Sequence, residues 1–333
     1  KPHLDPWLLL ILLVASALML SSLDNGRLWQ DEAETAVLAR NILQFGYPTA
    51  FDGVNLLNPG LRFREGFVWT YHTWFSLYLT AASFLLFGVT TWAARFPFVL
   101  LGIASIWLAS RLIFRITRDR ALARWTAVLM TTSVPFLLHM RECRYYAPSV
   151  LFSLWMSWAY LRFLKQRPGS NWELACSSIM LFHSNHGVFI PVTLALIVHF
   201  LWSRPSTVIW RSALRVGLVT AICTVPFMLY LQAWQHHDFP GWKELSRHVA
   251  YYFRQINKFI LPIPFWALLA FFNRKSLGRL WGRAGSEQRQ GWILAASLLG
   301  IGILFLIFLP WQRHFRYLIY LLPWLLMLQA AGL

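Results

Sequence analysis

Two adjoining stretches decide how this chain folds: PWLLLILLVASALMLSS (6–22) and LDNGRLWQDEAETAVLARNILQFGYPTAFDG (23–53). The first is apolar and long enough to cross a bilayer. The second crowds carboxylates at its mouth. Asp24, Asp31, Glu32, Glu34 and Asp52, with Glu65 a little further on, are six of the thirteen acidic residues in the whole chain. Acids near lipid are costly, so a cluster at the end of the first span is a candidate site for acid–base or metal chemistry. Within it, Asp31–Phe45 has the pattern of a short amphipathic helix. Ala33, Ala36, Val37 and Ile42 form its apolar stripe, and Gly46 and Pro48 end it. Capping gives a plainer alternative for the acids, with Asp31 as N-cap and Glu34 as the capping-box partner three residues on.

Outward from this segment, the 333 residues are 57% hydrophobic, only 13% charged and carry a net charge of +17. Mean hydropathy is +0.49. A large soluble globule is excluded by that balance, and an all-α integral membrane protein is indicated. Candidate spans fall at 7–23, 93–113, 124–140, 146–163, 173–186, 187–202, 213–231, 256–272, 291–310 and 317–333. Together they make a single polytopic domain over 1–333. The first run lacks a small-residue cleavage site after it and is expected to stay as an anchor. The chain opens on Lys1 and stops inside an apolar run at AAGL (330–333), so the expectation is a fragment with a further C-terminal part missing. Cys143, Cys176 and Cys223 are far apart, odd in number and show no metal-ligand spacing, which leaves them as packing residues.

The segment FVWTYHTWFSLYLTAASFLLF (67–87) could be an eleventh span, and charge decides against it. If it does not cross, sixteen Lys and Arg lie in the loops around 111–124, 162–167, 204–215 and 274–289. The other face, beyond its first loop, receives eight. The positive-inside rule then puts the sixteen in the cytoplasm. Thr70, Tyr71, His72, Thr73 and Ser76 also suit an interfacial or re-entrant helix. About ten spans result, with a first external loop over 24–92 that carries juxtamembrane helices. A basic chain can also signal nucleic acid, but Lys and Arg gathered in short loops between spans are topological, and no nucleic-acid partner is expected.

On this topology the chemistry-bearing groups segregate to the external face. They include Asp31, Glu32 and Glu65 from the first loop, RECRYY (141–146), HSNH (183–186), QHHDF (235–239) and QRHFRY (312–317). An arginine beside an aromatic ring at a helix mouth suits a phosphate, because the planar fork binds two oxygens while the ring sits at headgroup level. Arg144 with Tyr145, and Arg316 with Tyr317, are two such pairs; Arg141 and Arg313 flank them. The alternative is snorkelling anchors. Asp31 is the candidate general base, with Glu32 beside it. Sugar transfer from a lipid phosphate needs one carboxylate to take the acceptor's proton, and the phosphate leaves without a second acid. Glu65, His72, His186, His236 and His237 are candidates for binding acceptor or a divalent metal (Mg, Mn or Zn), with Asp238 as a further ligand. Their spacing fits no standard ligand pattern.

These residues resemble a known group. LWQDEAETAVLARNILQFGYPTAFDG (28–53) and FREGFVWTYHTWFSLYLTAASFLLFGVTTWAARFPFVLLG (63–102) are similar to the first loop and following segment of GT-C glycosyltransferases. The protein O-mannosyltransferases and aminoarabinose-transferase-like enzymes of glycosyltransferase family 39 are the nearest in pattern. RECRYYAPSVLF (141–152) and HFRYLIYLLPWLLMLQAAGL (314–333) resemble two further family segments. The chain departs from the family at EKPP and HPP, where it has REGF and YHTWF. The resemblance implies a GT-C bundle, an inverting mechanism, a polyprenyl-phosphate sugar donor and a glycan, lipid or protein acceptor. It also implies a multi-pass protein of a bacterial inner membrane with a periplasmic site. Asp31 matches the family's catalytic Asp, and Glu65 the acid before the second juxtamembrane helix. A transporter or flippase of a lipid-linked substrate is the alternative from another class. Transporters place ionisable groups near the bilayer midplane, whereas these spans are almost free of acids. A ligase moving a preassembled glycan from a lipid diphosphate shares the chemistry.

Overall fold

The computed structural model describes residues 5–59, 61, 63–232, 242–264, 267, 271, 285–308 and 313–331. Apolar runs become helices wherever the sequence supplies a start and a stop. α1 (Pro6–Leu20) opens at Asp5, whose carboxylate accepts the Trp7 N–H at 3.1 Å, with proline in the first turn. α2 (Gln30–Phe45) ends on Gly46, whose φ of 84° lies in the left-handed region that closes helices. After a 3-10 turn at Glu65–Phe67 come α3 (Phe75–Phe87) and α4 (Thr91–Thr117). α5 (Arg120–Thr132) and α6 (Val134–Met140) follow, then α7 (Tyr146–Leu164), α8 (Ser170–Ser184), α9 (His186–Ser203) and α10 (Thr207–Leu231). α11 (Trp242–Phe259) and α12 (Ser286–Phe308) lead to a 3-10 segment, Phe315–Leu321, that continues as α13 (Leu322–Ala330). No β-strand forms among the described residues; only two isolated bridges, Thr49 to Val68 and Phe51 to Leu56, pin the first loop.

α4, α9, α10 and α12 are each long and apolar enough to cross a membrane, and the α5–α6 pair makes a fifth if its bent halves count as one span. That pair covers the expected span over 124–140 in two halves. Ser133 interrupts it, its hydroxyl caps the new helix, Pro135 follows, and the halves diverge by 67°. The expected span at 256–272 begins instead as the last turn of α11, an amphipathic helix that buries His248, Tyr252 and Ile256 while Arg247, Phe253 and Arg254 are exposed. Residues 265, 266, 268–270 and 272 of that segment lie outside the described residues. The other expected spans coincide with helices.

α3 is too short to span a hydrocarbon layer as a straight helix. Its 13 residues span about 20 Å, short of the roughly 30 Å hydrocarbon layer. Both flanks also return to one turn of α2: His72 before α3 meets Glu34 at 3.1 Å, and Arg95 after it meets Glu32 at 2.6 Å. α2 and the flanks of α3 are therefore tied together as one packed unit.

The charges sort to two ends of the bundle. α4 has Arg95 near its start and ends beside Arg118; its 27 residues separate the two ends by about 40 Å. At the far end Arg124 pairs with Asp5 at 2.8 Å, Arg162 with Glu173 at 3.0 Å, and Arg118 and Lys165 share Glu287 at 3.0 and 2.8 Å. These groups lie in the heavily basic loops. Gly291 of α12 lies so close to α4 that an added Cβ would stand 2.4 Å from the Ile116 side chain and 3.1 Å from its Cα, so only glycine fits that crossing.

Candidate active site

The first turn of α2 sets the site. Its N-cap is Trp29, and Glu32 at N3 reaches back to accept the Trp29 N–H at 3.4 Å. The capping frame is thus Trp29 with Glu32, not Asp31 with Glu34, and Asp31 and Glu34 are free for other partners. Glu32 itself is fully buried. Arg95 grips it bidentately at 2.9 and 2.6 Å, and the Cys143 N–H donates to it at 3.2 Å. Arg95 also donates to the Leu23 and Asn25 carbonyls at 3.1 and 3.2 Å. This pair ties the ends of α1, α2 and α4 to the segment before α7. Glu32, grouped with Asp31 as a catalytic acid from the sequence, holds a supporting position. Burial pushes the neighbouring Cys143 thiol up, which keeps it protonated.

Asp31, one position earlier on the helix, points the other way. Its carboxylate pairs with Arg316 and stands 3.7 Å from Arg144. Arg144 donates to Glu34 at 2.8 Å and to the Asp31 carbonyl at 3.1 Å. Glu34 also meets His72 at 3.1 Å and accepts from the Asn58 amide at 3.3 Å. Burial drives the His72 pKa down, against the hydrogen bond it makes to the Glu34 carboxylate, so His72 is neutral near pH 7. Burial pushes the Glu34 carboxyl up, but His72 and the Arg144 guanidinium outweigh it and hold it below the usual carboxylate range. The arginines rest on aromatic faces. Arg144 lies 5.4 Å over Tyr145, and Arg316 sits between Trp29 at 5.7 Å and Tyr317 at 6.0 Å.

Both arginines line a cavity of about 380 Å³. Its polar wall includes His72, Tyr145, Tyr146, Asn185, His186 and Tyr317, and its apolar wall Val188 and Ile190 of α9, Phe305 and Leu306 of α12, and Ile319. The buried Nε–H groups of Arg144 and Arg316, and the Tyr146 hydroxyl, have no hydrogen-bond partner among the described residues. Two arginines and a tyrosine that line one cavity, each with an unsatisfied buried donor, make a candidate anion site. Asp31 does not line the cavity. Arg316 stands between.

Of the other sequence candidates, Arg141 corrects to a structural role: it donates to the Ser21 and Ser22 carbonyls at 2.6 and 3.1 Å, capping the end of α1. Arg313 faces Glu244 of α11 at 3.8 Å and is not on the cavity wall. Glu65 is exposed in the 3-10 turn, away from that wall. His236, His237 and Asp238 lie outside the described residues. Among the described residues, no three His, Cys, Asp or Glu side chains converge as a metal needs. Beside His72 and Glu34, the Arg144 guanidinium, 3.5 Å from His72 and 2.8 Å from Glu34, already fills a cation's place. Sequence reasoning missed the roles of Arg95 and Glu34. Glu34 lies three residues after Asp31, hence on the same helix face, and Arg95 is a charge in an apolar helix that must find a partner.

Residues 71–230 match the family model described as dolichyl-phosphate-mannose-protein mannosyltransferase. Two solved structures share the fold over 98% of this chain at 19% identity. They are ArnT from Cupriavidus metallidurans bound to undecaprenyl phosphate, with a TM-score of 0.66, and the same protein in the apo state, with 0.67. The chain spans 60% and 59% of those two chains. No curated protein sequence matches it. The chain therefore shares the all-helical fold of those two structures, the fold class that the sequence resemblance implied.

Proposed function

We propose that this chain is an inverting glycosyltransferase that moves a sugar from a polyprenyl phosphate to a glycan, lipid or protein acceptor on the external, periplasmic face of the membrane. One observation carries the reading. Arg144 and Arg316, each with a buried Nε–H that has no partner among the described residues, line a cavity that also has an apolar wall from the membrane-length helices α9 and α12. That pairing of surfaces suits a phosphate joined to an isoprenoid, with the head on the guanidinium forks and the first isoprene units against Val188, Ile190 and Leu306. The undecaprenyl phosphate named for the ArnT structure and the lipid-phosphate sugar named for the matching family are ligands of this chemistry. The site lies at the end of the bundle opposite Arg118, Arg124, Arg162 and Lys165, which supports an external location by the positive-inside rule.

The chain's own groups supply the steps. Phosphate oxygens accept from Arg144, Arg316 and the Tyr146 hydroxyl. By competing for Arg316 they loosen its hold on Asp31, which turns toward the acceptor. The Asp31 carboxylate takes the acceptor's proton as the acceptor attacks the anomeric carbon from the side opposite the phosphate. The anomeric C–O bond breaks with its electron pair going to the phosphate, where the arginines offset the growing charge. A single displacement inverts the anomeric centre. Glu32, sealed under Arg95, stays out of the proton transfer and holds the turn that aims Asp31.

Mass spectrometry of lipids co-purified with the protein tests the reading. A polyprenyl phosphate or its glycoside is expected. Only bulk phospholipid, with no binding of added undecaprenyl phosphate, would refute it.

A further inference from the structure

We propose that Glu34 sets the charge of the phosphate site, so that a monoanionic donor is held and the dianionic product is expelled. The inference rests on the donor reading above and names a specificity-determining residue that the reaction itself does not require.

Glu34 is a puzzle if the site only has to grip phosphate. Its carboxylate lies 2.8 Å from the guanidinium that should do the gripping, with the two side chains 17% and 8% exposed. A carboxylate so placed offsets half of the cluster's positive charge. The groups that face Glu34 are Arg144, His72 and Asn58, from three different segments, and Arg144 alone among them is charged near neutral pH. Arg144 and Arg316 are thus matched by Asp31 and Glu34, and the cluster is neutral before any ligand enters.

The charge then follows the reaction. A sugar phosphodiester brings one negative charge. As the acceptor's proton passes to Asp31 and the anomeric C–O bond breaks, the phosphate becomes a monoester and gains a second charge. When Asp31 releases its proton, the occupied site carries two net negative charges, one of them due to Glu34. Like charges in a largely buried cluster repel strongly, so the product is driven out. Without Glu34 the same arginines would retain the monoester, and turnover would stall on product release.

The experiment measures binding of two probes to the purified full chain in nanodiscs at pH 8: undecaprenyl phosphate, a monoester, and its synthetic methyl diester. Wild type is expected to bind the diester more tightly, although a simple cationic pocket would prefer the more highly charged monoester. Glu34→Gln is expected to tighten the monoester about tenfold or more and the diester about threefold, with lower kcat and lower donor KM. Glu34→Asp keeps the charge and should stay within about threefold of wild type for both probes. A wild-type preference for the monoester overturns the inference without needing any variant. So does a folded Glu34→Gln protein that binds both probes no more tightly than wild type. If wild type binds neither probe, the donor reading itself fails, and this inference falls with it.

Discussion

Replacing Arg95 by Met leaves Glu32 as a charge with no counter-ion in a site closed to water. Glu32 is fully buried, and its main partners are the two Arg95 contacts at 2.9 and 2.6 Å and the Cys143 N–H at 3.2 Å. Breaking one side of such a pair costs about 3–5 kcal/mol. Losing the donors to the Leu23 and Asn25 carbonyls adds about 1 kcal/mol each. Those two losses remain when the charge itself is removed. The double variant Arg95→Met/Glu32→Gln, whose amide oxygen still accepts from Cys143, should therefore recover about 3 kcal/mol of the loss. The assay is reversible unfolding in mixed micelles, following the fraction folded for wild type, both single variants and the double. A loss under about 1 kcal/mol for Arg95→Met would refute the account of Glu32 as the buried keystone of this corner. A double variant no more stable than Arg95→Met would refute the attribution to unpaired charge.

Arg316→Ala should weaken binding of undecaprenyl phosphate about tenfold to a hundredfold, the size of a charge-assisted hydrogen bond, with little change in acceptor KM. Arg141→Ala and Arg313→Ala should stay within about threefold of wild type, since neither lines the cavity; equal losses in all three would return Arg316 to an anchoring role. Acid should loosen the site. The unfolded chain binds more protons than the folded one at both His72 and Glu34, because both folded pKa values are depressed. Stability due to His72 is lost as pH falls below its ordinary 6.5 toward the depressed folded value, and that due to Glu34 as pH falls below 4.5. Thermal unfolding from pH 7.5 to 5.5 should show a smaller drop for His72→Gln than for wild type; an identical drop would contradict the buried neutral histidine.

Much of the fold was legible because a bilayer imposes its own period and sign. Apolar runs gave the helices. The 67° break between α5 and α6 was marked by Ser133 and Pro135, a cap and a helix starter inside an apolar run, but the run's hydropathy concealed it. In the site, residue types led to Asp31, Arg144 and Arg316, which the fold brings together. Pairing was not legible. Glu32 and Arg95 lie 63 residues apart and Asp31 and Arg316 285 apart, so only tertiary packing decides which acid each arginine takes. The capping frame, shifted from Asp31 to Trp29, had no local marker because Trp29 donates through its backbone alone. Arg141 and Arg144, three residues apart, divided between a helix end and the cavity because the segment linking α6 to α7 turns sharply there.

Turnover by Asp31→Asn tests the central claim most directly. With a radiolabelled polyprenyl-phosphate sugar as donor and undecaprenyl phosphate binding measured on the same preparation, transfer should fall at least a hundredfold. Lipid binding should be retained, since Arg144 and Arg316 are still present. Wild-type transfer by a folded Asp31→Asn protein would contradict the account and leave Asp31 as no more than the counter-ion of Arg316.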